Sequence, residues 1–316
     1  MKILFYELSS GSLPRLEDMN LDLKENTLHI LHSAEDIYRF ISQNNDIKIF
    51  VTDTPSYDIL SEVKSIPDVS TVLVTSLPIS QYSSLLKDQD EKLLDHIIAS
   101  YISPEWTQRY LKITIEKILY GNIFGLEKYL LPNSTINKVV VTSSSDRPQY
   151  NNEVFNFARE HNLGSYVSRL IFSITEELLM NAIYDAPVKE GVPIYNHLPR
   201  TTTINLQPHE YPTLSYGFDG ISFGIAISDP FGAINKKTFF DHIKKSITRK
   251  TSSLLIKNEG GGAGLGILKI LHSCHSFICN VENKKQSEFI AVINTKSLPR
   301  DLSKVNRSVH FFEKEL

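Results

Sequence analysis

The stretch ELLMNAIYDA, residues 177–186, decides how the second half of the chain is read. Glu177, Asn181 and Asp185 recur at intervals of four, so on a helix they project from nearly one face, one turn apart. Ile171, Ile174, Leu178 and Ala182 form an adjacent apolar stripe able to dock on a sheet. A face with a carboxylate, an amide and a second carboxylate suits two tasks: holding a hard cation through oxygen, and holding a water or hydroxyl against a general base. The same pattern also describes an ordinary solvated helix face.

Two stretches downstream sharpen the choice. DPFG at 229–232 follows the apolar strand pattern of 221–228. A carboxylate at a strand end, beside a glycine that lets backbone approach, can accept a hydrogen bond from an exocyclic amine such as that of adenine; the same residues also make a plain turn. The run GGGAGLG at 260–266 opens a helical pattern that continues to Cys274. Glycines there let N–H groups approach phosphate oxygens at the positive end of a helix. No Lys-Ser/Thr pair follows, which argues against a P-loop, and no βαβ setting surrounds it, which argues against a dinucleotide fold. Between the two, residues 236–250 carry Lys236, Lys237, Lys244, Lys245, Arg249 and Lys250 against one acid, Asp241. That segment reads equally as a mobile basic lid or as a solvated amphipathic helix.

In this order and setting, the three stretches make the second half resemble the GHKL ATPase superfamily of gyrase, heat-shock chaperone, histidine kinase and mismatch-repair ATPase domains. ELLMNAIYDA is similar to its asparagine box, DPFG to a first glycine box, and GGAGLGI at 261–267 to a second, over roughly residues 137–296. The resemblance implies an α/β two-layer sandwich of the Bergerat type that binds Mg-ATP. It implies that Asn181 ligates Mg2+ and that Asp229, beside Gly232, binds the adenine amine. Gly262, Gly264, Leu265 and Gly266 would shape the phosphate loop and lid, Glu177 would be the general base, and Asp185 would add a further nucleotide contact. The chain departs from the family at two points: D-x-G-x-G has become DPFG with its glycine shifted by one, and Asp185 stands one residue later than the family's Asp.

Histidine kinases of two-component systems carry a phosphoacceptor histidine on a helix before the ATPase domain, but residues 104–131 contain no His. The segment FNFAREHNLGSYVSRLIFSITEELLMNAI at 155–183 is instead similar to anti-sigma-factor serine kinases of the partner-switching type. The resemblance implies a serine protein kinase or partner switch whose partner is an anti-sigma antagonist, a sigma factor or another signalling protein. The alternative is a non-catalytic regulatory module with a vestigial ATP site, working by protein contacts.

Upstream, β-branched runs near residues 3–8, 27–31, 47–52, 71–75 and 96–99 alternate with helical stretches, the pattern of a flavodoxin-like doubly wound parallel sheet. In such sheets the functional crevice lies at the carboxyl ends of the strands, marked here by Glu7, Asp53, Thr75 and Ser100. This half resembles a response-regulator receiver, with Asp53 where the phosphoacceptor would lie. Only Glu7 stands near the end of the first strand, however, and no Lys follows the fifth. Charge on a phosphoryl group at Asp53 would go largely uncompensated, so the half reads as a degenerate receiver used for docking or homodimer formation.

The expected organisation is a receiver-like domain over 1–103, a connecting helix within 104–136, the ATPase-like domain over 137–299, and a polar tail from 300. A length of 316 residues supports two cores. Hydrophobic residues at 41% and charged residues at 22% are the balance of a packed soluble fold. A net charge of -3 gives no general attraction to nucleic acid or to anionic lipid. Cys274 and Cys279, five apart, fit neither a redox CxxC pair nor a zinc knuckle. The apolar runs are too short to span a bilayer and Met1-Lys2 leads into a strand pattern, so the expected location is the cytoplasm, away from membranes.

Overall fold

A computed structural model describes residues 1–7, 13–14, 19–82, 93–100, 104–248, 265–296 and 306–314. The chain is mixed α/β and divides into two compact units, Met1–Ile123 with Asn306–His310, and Phe124–Val305 with Phe311–Leu316. No helix among the described residues is long and apolar enough to cross a membrane.

The first unit is built on β1 (Lys2–Tyr6), β2 (Thr27–Leu31), β3 (Ile47–Thr52), β4 (Ser70–Thr75) and β5 (His96–Ala99). All five pair in parallel in the order β2-β1-β3-β4-β5, the order of flavodoxin-like sheets. Ile3, Leu4, Phe50, Val51, Val72 and Leu73 are fully buried, because central strands of a parallel sheet are covered on both faces, whereas β2 at the edge stays half-exposed. Helix α1 (Ala34–Gln43) starts where the Ser33 hydroxyl accepts the Asp36 N–H at 3.1 Å, and α2 (Tyr57–Val63) follows β3.

Helix α3 (Pro104–Tyr120) is shorter than its sequence pattern, which runs on to Leu131. Gly121 ends it by turning left-handed (φ 65°) while its N–H still reaches the Lys117 carbonyl at 3.0 Å. The apolar residues beyond form a separate 3₁₀ turn, Leu126–Tyr129.

The second unit opens with β6 (Ile136–Val140) and continues through α4 (Arg147–Glu160) and α5 (Ser165–Met180) to a two-stranded hairpin, β7 (Val188–Lys189) with β8 (Val192–Pro193). Then come β9 (Thr213–Phe218), β10 (Ser222–Asp229), α6 (Lys236–Thr248), α7 (Leu265–Ser273), β11 (Ser276–Glu282) and β12 (Gln286–Asn294). The long strands pair antiparallel in the order β6-β9-β10-β12-β11. Helix α5 packs on α4, α7 and β10, and its stripe of Ile171, Ile174, Leu178 and Ala182 is buried as the sequence predicts. The stretch TTINL at 202–206 has a strand-like pattern, but it forms no strand. The Ser144 hydroxyl takes the Ile204 N–H at 2.8 Å, and only an isolated bridge, Ser143 to Asn205, remains.

The polar tail expected from residue 300 is corrected by the last strand, β13 (Ser308–Lys314). Its first residues belong to the first unit, where Val309 and His310 pair antiparallel with Ile97 and His96 of β5. There the Tyr82 hydroxyl donates to the Arg307 carbonyl at 2.6 Å and the Ala99 N–H to the Ser308 hydroxyl at 3.1 Å. Its later residues belong to the second unit, where Phe311 lies 5.6 Å from the ring of Phe239.

Candidate functional site

The end of α5 does not continue as a regular helix. Residues Asn181–Asp185 wind as one π turn, with the Ala186 N–H reaching the Asn181 carbonyl at 2.9 Å. Such turns add one residue to a helix and are often found at functional sites. Asn181 and Asp185, at the two ends of this turn, both line a cavity of about 980 Å³.

That cavity lies within the second unit and is walled by the π turn that follows α5, the β7–β8 hairpin, the end of β10, α6, the start of α7 and the β11–β12 turn. It brings together Asn181, Asp185, Asp229 and Gly232, four residues singled out from sequence. Gly262 and Gly264 lie outside the described residues. Leu265 and Gly266 form the first turn of α7, whose Ile267 reaches the wall.

Asp229 is the last residue of β10 and only 3% exposed. Burial pushes its carboxyl up to about 6, against the opposing pull of the Phe231 and Gly232 N–H groups and the Ser287 hydroxyl. The Phe231 N–H donates to Asp229 Oδ1 at 3.0 Å. Asp229 also lines the cavity, and burying a carboxylate with no opposite charge beside it among the described residues is costly for a group that serves only the fold.

Gly232 makes this turn possible. Its φ is 57°, and a Cβ there would collide with the Glu282 carbonyl and stand 2.9 Å from the N atoms of Lys284 and Gln286. The obstacles are backbone and cannot swing away. Gly232→Ala is expected to destabilise the fold by about 3 kcal/mol, from left-handed strain plus the clash. Chemical denaturation checks this, and a midpoint within error of wild type would contradict it.

Glu177 stands one turn before Asn181, beside the cavity and not on its wall. Its carboxylate forms an ion pair with Lys269 of α7. A Cβ at Gly266 would lie 2.5 Å from Glu177 Oε2 and 3.7 Å from Asn181 Oδ1, so a larger residue there would displace the Glu177 carboxylate from its present position. Asp185 also has a partner, the Arg200 guanidinium at 2.6 Å, which in turn covers the Tyr184 ring at 4.8 Å. The Tyr184 hydroxyl fixes that segment by donating to the Thr202 carbonyl at 2.7 Å and the Arg200 carbonyl at 3.0 Å.

Within the basic segment, Lys236–Thr248 form helix α6, which walls the cavity, and residues 249 and 250 lie outside the described residues. Phe239, Phe240 and Ile243 are fully buried, which leaves Thr238 and His242 on the cavity side. Burial, then Lys245, hold the His242 imidazole below the usual histidine range, against Asp241 and Asp185. Neither His242 nor Arg200 was singled out from sequence. Thr238 and His242 share the four-residue spacing that drew attention to 177–185, but no neighbouring motif distinguished them.

In the first unit, Asp53 follows β3 at the carboxyl end of the sheet, and the Thr54 hydroxyl donates to its Oδ1 at 2.8 Å. Glu7 follows β1 on the same end, where Oε1 accepts the Leu13 N–H at 3.1 Å. The Tyr6 hydroxyl is pushed above its usual range by burial first, then by Asp53 and Tyr38.

No family model and no curated protein matches the chain. Among solved structures, one described as the SiaB-SiaC complex from Pseudomonas aeruginosa is similar over 49% of this chain and 88% of its own, at 11% identity and a TM-score of 0.33. A likeness that loose carries no argument about fold or activity.

Proposed function

We propose that the second unit binds Mg-ATP in this cavity and acts as an ATP-dependent serine protein kinase or partner switch on another signalling protein. The observation that supports the reading best is the convergence of Asn181 with Asp229 and Gly232, from two separated stretches, on one cavity. Its volume, about 980 Å³, is ample for a nucleotide. The buried Asp229 carboxylate suits an adenine amine, a donor that repays its desolvation.

Among the described residues no group of three His, Cys, Asp or Glu side chains could hold a metal ion. A Mg2+ here would be held by the Asn181 amide oxygen together with phosphate oxygens and water, the usual manner for this ion at triphosphates. It would neutralise phosphate charge. In the kinase reading, Glu177 takes the proton from a serine hydroxyl of the partner. The new oxygen–phosphorus bond forms as the bond to the β,γ-bridging oxygen breaks, and ADP leaves.

Calorimetry tests the binding step. Wild type is expected to take up one Mg-ATP, and Asn181→Ala to weaken it by about tenfold, the loss of one good polar contact. No heat with wild type, or equal affinity in the variant, would remove the reading. A second reading, a regulatory module without catalysis, draws on the ion pairs that engage both Glu177 and Asp185. It would be favoured by binding without transfer of labelled phosphate to any serine-bearing antagonist.

For the first unit we propose a degenerate receiver that docks or dimerises, because only Glu7 supplements Asp53 at the sheet end and no lysine follows β5. Cytoplasmic residence accords with both proposals.

A further inference from the structure

The proposed transfer chemistry uses Glu177 but gives no part to the cation that holds it. Lys269 lies on α7, in the turn after Gly266, and its ammonium pairs with Glu177. The two partners differ in freedom: the Glu177 side chain is 15% exposed, whereas the Lys269 side chain is 59% exposed. The carboxylate is thus held in place by the packing of α5 on α7, while the four-carbon stem of the lysine can move.

The geometry places four residues in one short row. Lys269 meets Glu177, Glu177 Oε2 faces the Cα of Gly266, and Gly266 faces the Asn181 amide. Asn181 belongs to the cavity wall, so the row runs from the cavity to the exposed lysine along the α5–α7 contact. A mobile cation beside a general base and near a cation-binding amide stands where charge gathers on a transferring phosphoryl group. It also blocks the base, since a carboxylate engaged by an ammonium is poorly placed to take a proton from a hydroxyl.

We propose that Lys269 is a further residue of the transfer site, exchanging its ion pair with Glu177 for the terminal phosphate of bound ATP and so releasing the carboxylate. This rests on the Mg-ATP reading above. It adds that triphosphate and diphosphate differ in their effect on Glu177, because only the triphosphate presents a group able to draw the lysine away.

Two measurements test it. A water-soluble carbodiimide joins carboxylates to amines in direct contact, so wild type is expected to yield a Glu177–Lys269 cross-linked peptide by mass spectrometry. Saturating Mg-ATP is expected to reduce its yield about fivefold or more, and Mg-ADP much less, as a charge-assisted contact moves to the phosphate. In calorimetry, Lys269→Met is expected to weaken Mg-ATP about tenfold more than Mg-ADP, and Lys269→Arg to restore most of that difference.

Absence of the cross-link in wild type would overturn the pairing. A cross-link indifferent to Mg-ATP shown to be bound, or an ATP-to-ADP preference unchanged in Lys269→Met, would overturn the exchange. No heat from Mg-ATP with wild type would instead bring down the nucleotide reading itself, and this proposal with it. Lys269 is largely exposed, so its replacement leaves the folded core in place.

Discussion

Replacing Asp229 by Asn is expected to make the protein more stable at pH 7 and at the same time to cost it most of its affinity for Mg-ATP. The stability half follows from proton linkage. The carboxyl has an ordinary value of 3.8 and sits at about 6 in the fold, so the folded state binds more protons than the unfolded chain between those limits. Its contribution is therefore least unfavourable below about pH 4, worsens as pH rises through 6, and is fully adverse above. At about 1.4 kcal/mol per pH unit the penalty approaches roughly 3 kcal/mol at neutral pH. Asn keeps an acceptor for the Phe231 N–H but carries no charge, so a gain of about 1 to 3 kcal/mol is expected at pH 7, vanishing toward pH 4.

The binding half runs the other way. A neutral amide offers the adenine amine a weaker acceptor and an extra N–H turned toward a donor, a loss of about 10- to 100-fold. For wild type, the same logic has affinity falling as pH drops through about 6, where the buried carboxyl takes up its proton. Thermal melts across pH, together with calorimetry, check both halves. A destabilised Asp229→Asn at pH 7 would show that the carboxylate serves the fold, and undiminished ATP affinity would remove it from the site.

Glu177→Gln carries the largest expected effect on chemistry: phosphoryl transfer to a serine-bearing partner should fall by about 10²- to 10⁴-fold, the usual worth of a positioned general base. Mg-ATP affinity should not fall, because the carboxylate lies beside the cavity wall, the amide fills the same space, and Lys269 no longer has an ion pair to give up. A transfer assay with labelled ATP, run beside calorimetry, separates the two quantities. Equal transfer by the variant would leave Glu177 as a structural partner of Lys269 and nothing more.

Much of the architecture was legible because periodicity reports burial. The β-branched runs near 27–31, 47–52 and 96–99 became β2, β3 and β5 with nearly the same ends, and the stripe on α5 is buried as its spacing required. The failures share a cause, the influence of residues far away in sequence. NRSVHFFEK, residues 306–314, looks like the end of a polar tail until β5 offers it a partner. Residues 202–206 look like a strand until the Ser144 hydroxyl takes one of their N–H groups. For the site, Asn181, Asp229 and Gly232 were marked by motif. Arg200 and His242 were not, since only the folded chain brings them to Asp185 and to the cavity. The π turn was invisible as well.

The way β13 is shared has a consequence for biosynthesis. Residues 306–310 complete the unit that begins at Met1, and everything from Phe124 to Val305 is translated in between. Residues 1–123 therefore leave the ribosome with the flank of β5 uncovered while residues 124–305 are made. Until residues 306–310 arrive, that edge presents unpaired backbone N–H and C=O groups, the kind of edge able to pair with another chain.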